Sequence, residues 1–286
     1  MNCFVKKIQK KIIINLHKVV FFSKIFDIIF EFSYDNKISI NIRNKYDLIF
    51  SCPNTISKWR IQTFFSKEPE IIRWIDKIPE GSVVWDIGAN IGLYSVYAAV
   101  IKKCKVYAFE PSVFNLELLA RNIYLNKCNN TNANSSGRIV LCPIALSNHN
   151  GIDTLELTTT EWGGALSTFG DNIDWKGELI KSKFSYSCMG LKVDDSISYL
   201  NLEAPDYLKI DVDGIEHLIL QGALNTLKKL KSVYIEINDN FKLQASICSQ
   251  LLEEAGLTLL EKHQNREFVR NNNEFKSVFN QVWVRV

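Results

Sequence analysis

The chain has 286 residues, 47% of them hydrophobic and 23% charged, which suits a soluble globular protein with one large α/β domain and an N-terminal extension. A net charge of +3 is too small to argue for a nucleic-acid partner, which would show a clustered excess of Lys and Arg. Seven scattered cysteines form no C-x-x-C pair and have no His at zinc-like spacing, so they read as buried free thiols in a reducing, cytoplasmic setting.

Residues 12–30 are apolar but interrupted by Asn15, His17, Lys18, Lys24 and Asp27, which argues against a spanning helix or a signal peptide. They are expected to form a helix packed on the main domain or on a second subunit, as in a homodimer. The alternative is a basic amphipathic helix lying on the inner face of a membrane, because six lysines precede Asp27 with no acidic residue among them. Residues 37–52 alternate as two short strands. The stretch from Ile56 to Ile78 is helical, broken at Pro69 and closed by Pro79-Glu80-Gly81. Residues 1–80 are thus expected to be an extension, and 81–286 the main domain.

From Gly81 strands and helices alternate. SVVWDI, KVYAFE, RIVLCPIAL, DYLKIDV, SVYIEIN, LTLLEKH and NQVWVRV read as seven strands, with helices at 92–101, 113–126, 214–230 and about 241–255. The sheet is expected to be mostly parallel. No helix separates the last two strands, so they should pair antiparallel, unlike a plain dinucleotide-binding sheet. Residues 147–200 break the rhythm and read as an inserted hairpin and loop, with DTLELTT and GLKVDD as alternating segments.

The sharpest motif is Asp86-Ile87-Gly88-Ala89-Asn90-Ile91-Gly92 at the end of the first strand. Gly88 and Gly92 allow a tight turn and close backbone approach to a ligand, with Asn90 between them. A third glycine of the G-x-G-x-x-G type is missing, and Asp86 would repel a pyrophosphate. That anion suits a ligand bearing sulfonium and ammonium charges, as S-adenosylmethionine does. Glu110 follows Gly88 by 22 residues, where a strand-end carboxylate can accept from both ribose hydroxyls.

VWDIGANIGLYSVYAA, VYAFEPS, IALSNHNG, DYLKIDVDGIEHLILQGA and VYIEIN, in that order, resemble the FkbM family of methyltransferases over roughly residues 68–286. The family's usual K-I-D-V-E-G-x-E appears here as LKIDVDGIE, with Asp213 in place of Glu. The resemblance implies an α/β class I methyltransferase fold and S-adenosylmethionine-dependent O-methylation of a sugar in a glycan or of a small-molecule hydroxyl. It also brings Pro111 and Ala145 into the cofactor site beside Asp86, Gly88, Asn90, Gly92, Glu110 and Asp211.

An alcohol is a poor nucleophile at neutral pH, so transfer needs a base or a metal. Asp211 is the leading candidate, as a carboxylate at the end of an apolar strand. His217 suits a base by its ordinary pKa, and Lys209 would pair with a carboxylate in the site. Asp213 and Glu216 could equally stabilise a helix start. Asp211, Glu236 and Asn238 could present oxygens to Mg²⁺ from adjacent strand ends, though nothing in the sequence requires the ion. Glu161-Trp162-Gly163-Gly164 offers an aromatic platform for a sugar ring, or an ordinary turn. A nicotinamide-dependent oxidoreductase and a non-catalytic cofactor-binding homologue are the competing readings.

Overall fold

The computed structural model describes residues 35–129, 137–264 and 273–286. The expected N-terminal helix, with its partner or membrane role, falls outside them. Among the described residues no helix is long and apolar enough to cross a membrane. The described cysteines, Cys52, Cys104, Cys128, Cys142, Cys188 and Cys248, are free thiols, all buried except the half-buried Cys188.

An antiparallel hairpin comes first, β1 (Lys37–Ile42) and β2 (Tyr46–Ser51), turning through left-handed backbone at Arg43 and Asn44. Helix α1 (Thr55–Gln62) starts where Asn54 and Ser57 satisfy each other's backbone N–H. Helix α2 (Pro69–Lys77) starts on a proline, whose missing donor has no intrahelical partner to lose. Its apolar face buries Ile71, Trp74 and Ile75, and Trp74 Nε1 donates to Ser232 Oγ at 2.9 Å. This face packs the extension onto the main sheet.

The main domain runs β3 (Val83–Ile87), α3 (Leu93–Lys102), β4 (Lys105–Phe109), α4 (Val113–Leu125) and β5 (Arg138–Cys142). The insertion follows as β6 (Ala145–Leu146), β7 (Gly151–Leu157), β8 (Ser167–Phe169), β9 (Phe184–Leu191) and α5 (Val193–Tyr199). The chain then returns through β10 (Tyr207–Ile210), α6 (Glu216–Gln221), α7 (Leu224–Leu227), β11 (Ser232–Asn238), α8 (Lys242–Glu254), β12 (Leu257–His263) and β13 (Val278–Arg285). Seven strands form one sheet in the order β12-β13-β11-β10-β3-β4-β5. β13 alone runs against its neighbours, pairing antiparallel with both β11 and β12. This is the class I methyltransferase arrangement. The central strands are mainly apolar, because apolar clusters cover both faces of the sheet, with Asp86 in β3, Lys209 in β10 and Glu236 in β11 as charged interruptions.

Four local expectations change. RIVLCPIAL is not one strand: β5 stops at Cys142, since Pro143 has no N–H to donate, and Ala145-Leu146 joins the insertion's sheet. The insertion is a four-stranded sheet, β6-β9-β7-β8, and not a simple hairpin and loop. Within GLKVDD the strand ends at Leu191 and α5 begins at Val193. Residues 214–230 form two short helices that part at Gly222, where the chain lies so close to the insertion that a Cβ would sit 2.1 Å from the Ser147 carbonyl oxygen.

Candidate functional site

In parallel sheets ligands collect beyond the carboxyl ends of the strands, and here the ends of β3, β4, β10 and β11 lie side by side. The turn after β3 is left-handed at Gly88 (φ 76°), Asn90 (φ 50°) and Gly92 (φ 81°). Both glycines are demanded by protein neighbours. A Cβ on Gly88 would meet the Asp211 carbonyl oxygen at 1.9 Å, and one on Gly92 would meet Leu119 Cδ1 at 2.4 Å. The turn is therefore locked against β10 and α4, with its shape set before any ligand arrives.

Glu110, just past β4, is buried, and its two oxygens accept from the backbone N–H groups of Asn90 and Ser112, each at 2.8 Å. Burial raises its pKa to about 7 despite those donors. Asp86 lies lower, within β3. Its oxygens meet Lys209 Nζ at 2.9 Å and Ser95 Oγ at 2.6 Å. Its charge is thus already balanced, which revises the expectation that Asp86 faces the ligand as a free anion. It is a buried strut below the turn and is absent from the walls of the cavities described below.

Lys209 points from β10 into the same layer, 3% exposed, touching Asp86, Asp211 Oδ2 (3.6 Å) and the Gly88 carbonyl oxygen (3.3 Å). Burial alone would lower its pKa, but Asp86 and Asp211 outweigh that and raise it. It is a fixed cation and cannot act as the base. His217 is not brought to the cleft. It is buried against Phe241, with ring centroids 5.8 Å apart, burial lowers its pKa, and it lines none of the three cavities. Glu216 is structural: its carboxyl accepts from the N–H groups of Val212 and Gly214 and from Gln244 Nε2.

Carboxyl oxygens of Asp211, Asp213 and Glu236 all lie within 4.8 Å of one another. Asn238, expected as a third oxygen ligand beside Asp211 and Glu236, is turned away: its Nδ2 donates to the Trp175 carbonyl (2.9 Å), and its Oδ1 accepts from Asn240 N (3.0 Å). Asp213 takes its place. At φ 63° its backbone is left-handed, and its carboxyl accepts from Leu166 N at 2.7 Å. Burial and Asp211 raise the Asp213 pKa to about 6. Burial followed by repulsion from Asp211 and Asp213 drives that of Glu236 well above the usual carboxylate range.

Three cavities open onto this edge. The first, about 550 Å³, lies over Glu110, Pro111 and Ala145. The second, about 460 Å³, lies between the turn and the α1–α2 segment, with Arg60, Lys67, Glu68 and Tyr94 in its wall. The third, about 1050 Å³, is walled by Trp59, Arg60, Asp213, Glu236 and Phe275. Gly88, Asn90 and Asp211 line all three. The cavities meet at that point.

Trp162 is not a cavity platform; its ring packs against the core. The Glu161–Gly164 turn acts as a clasp. Arg60 Nε donates to Gly163 O (2.7 Å), Asn90 Nδ2 and Asn115 Nδ2 donate to Gly164 O (2.7 and 3.1 Å), and Asn54 Nδ2 donates to Trp162 O (3.0 Å). Sequence reasoning missed Arg60, Lys67, Trp59, Asn115 and Phe275 as site residues. The available signal was a pair of cations, Arg60 and Lys67, in a helical stretch read as accessory.

Residues 86–266 match the family described as Methyltransferase FkbM domain. The chain is similar to the hexuronic acid methyltransferase AglP of Haloferax volcanii, 22% identical over 222 residues that cover 78% of this chain and 82% of that protein. It is also similar to the methyltransferase sdnD of Sordaria araneosa, at 26% identity over 52% of this chain and 62% of the relative. Among solved structures, the methyltransferase FkbM of Methylobacillus flagellatus KT aligns at 16% identity with a TM-score of 0.46, covering 73% of this chain and 44% of that one.

Proposed function

The chain belongs to the FkbM methyltransferase family and is an S-adenosylmethionine-dependent methyltransferase, and from that premise we propose that it methylates a hydroxyl of a sugar in a glycan. The observation that carries this reading is the meeting of three cavities at Gly88, Asn90 and Asp211. A donor with two arms and an acceptor need three separate compartments that share one reacting centre. Glu110 is suited to receive the ribose hydroxyls in the first cavity, with Pro111 and Ala145 beside it. The third cavity, larger and walled by Trp59 and Phe275, suits the acceptor, since aromatic faces take the apolar face of a sugar ring. A sugar acceptor is further supported by the relative named as a hexuronic acid methyltransferase.

S-adenosylmethionine supplies a methyl group already activated as a sulfonium. The protein must hold the acceptor oxygen in line and remove its proton. Asp211 sits where the cavities join and is the group placed to take that proton. Lys209, fixed by Asp86, steadies the Asp211 carboxylate from below. Asp213 and Glu236 crowd it, and burial with the neighbouring carboxylates raises the pKa of each of those two. Where Mg²⁺ is present, Asp211, Asp213 and Glu236 would hold it, and the ion would polarise the acceptor oxygen. Loss of transfer on chelation, restored by Mg²⁺, tests that variant of the site.

The acceptor reading is tested with methyl-labelled donor and two panels, one of uronic and neutral glycosides, one of non-sugar alcohols. Label is expected on sugar hydroxyls. Label confined to non-sugar alcohols would overturn the acceptor class and leave the methyltransferase assignment intact.

A further inference from the structure

The second cavity has a chemistry that neither the cofactor motif nor the acceptor explains. Its wall carries both signs of charge, with Arg60 and Lys67 from the α1–α2 segment facing Glu68 and Asp211. Most of these charges are already matched. Lys67 Nζ lies 2.9 Å from Glu68 Oε1, and Tyr94 donates its hydroxyl to Glu68 Oε2, also at 2.9 Å. Lys209, at the floor, is matched by Asp86. Arg60 is the exception. Its Nε is spent on the Gly163 carbonyl, which aims the guanidinium, while its two terminal nitrogens have no hydrogen-bond or ion-pair partner among the described residues. A guanidinium fixed at one N–H presents its remaining N–H groups at the cavity wall, and its planar fork can take both oxygens of a carboxylate.

We propose that Arg60, assisted by Lys67, is the receptor for the α-carboxylate of the donor's amino-acid arm. The proposal rests on the reading of the first cavity as the nucleoside site. A zwitterionic arm leaving the junction at Asp211 needs cationic and anionic partners within one small compartment, and the second cavity provides both. The α1–α2 segment thereby becomes part of the cofactor site. Arg60 also links donor occupancy to the insertion, since the same side chain grips Gly163.

The test is calorimetric binding of S-adenosylhomocysteine and of its decarboxylated counterpart, S-adenosyl-3-thiopropylamine, to wild type, Arg60→Met and Lys67→Met. Wild type should prefer the carboxylate-bearing ligand by about tenfold or more, the scale of a charged hydrogen-bonded pair. Arg60→Met should narrow that preference to within about threefold while binding the decarboxylated ligand as wild type does, which also shows that the variant is folded. Lys67→Met should narrow it less. An Arg60→Met enzyme that keeps the full preference, or that loses both ligands equally, overturns the proposal. So does one that keeps donor binding but shows a raised acceptor KM, which would make Arg60 a reader of an acceptor anion. A wild type that binds neither ligand would instead refute the nucleoside-site reading on which this inference stands.

Discussion

Two ends of one sheet edge treat buried charge in opposite ways. At the carboxyl ends of β3 and β4 each buried carboxylate has its partners: Asp86 has Lys209 and Ser95, and Glu110 has two backbone N–H groups. At the carboxyl ends of β10 and β11, Asp211, Asp213 and Glu236 crowd within 4.8 Å, and Leu166 N is the one backbone donor to them among the described residues. The first end is built to hold a shape. The second is built so that protons and cations matter to it, because like charges in a half-buried site cannot all ionise cheaply. Binding is assigned to the matched end and chemistry to the crowded one.

Substitutions at the two ends should therefore fail differently. Asp211→Asn should lower methyl transfer by about a hundredfold to ten-thousandfold, the range for losing a general base, with S-adenosylhomocysteine affinity almost unchanged. Steady-state kinetics beside calorimetry reads both, and a variant with near-normal turnover would break the division. Lys209→Met should act on the fold instead, stranding Asp86 beneath the turn at a cost of about 3–5 kcal/mol in denaturant unfolding. A variant as stable as wild type would show that the Asp86 charge is accommodated some other way.

Glu236→Gln sharpens the contrast through pH. The folded pKa of Glu236 is raised, so its favourable contribution is complete below the unfolded value and is lost as pH rises through the folded one. The amide should thus make the protein more stable than wild type at pH 8, on the order of 1 kcal/mol, with the difference shrinking toward pH 4. A variant less stable than wild type at pH 8 would mean that Glu236 is not crowded. Smallest of all, His217→Phe should change transfer by less than about threefold, since the ring packs on Phe241 away from the cleft. A hundredfold loss with normal folding would return His217 to the reaction.

The seven strands and the Asp86–Gly92 turn were legible because their determinants are contiguous: apolar runs of strand length, glycines at fixed spacing, and carboxylates at strand ends. The acceptor side was not, because its walls include distant stretches around Trp59, Leu166 and Phe275, brought to the strand ends only by tertiary packing. His217 was misplaced because α6 is just six residues long, too short for its pattern to say which face meets the cleft. Asn238 failed as a ligand because the insertion supplies the Trp175 carbonyl, a partner no local pattern reveals. Asp86 looks like a bare anion in the sequence because its matching cation lies over a hundred residues away, at Lys209.

The account stands on a crowded carboxyl cluster facing the donor's sulfonium where the cavities join. Binding of S-adenosylmethionine and of S-adenosylhomocysteine should be measured calorimetrically at pH 7 in two buffers of different ionisation enthalpy. The sulfonium charge should lower the pKa of the cluster, so that S-adenosylmethionine releases protons that the uncharged sulfide does not. Equal proton release for the two ligands would contradict the placement of the cluster at the reacting centre.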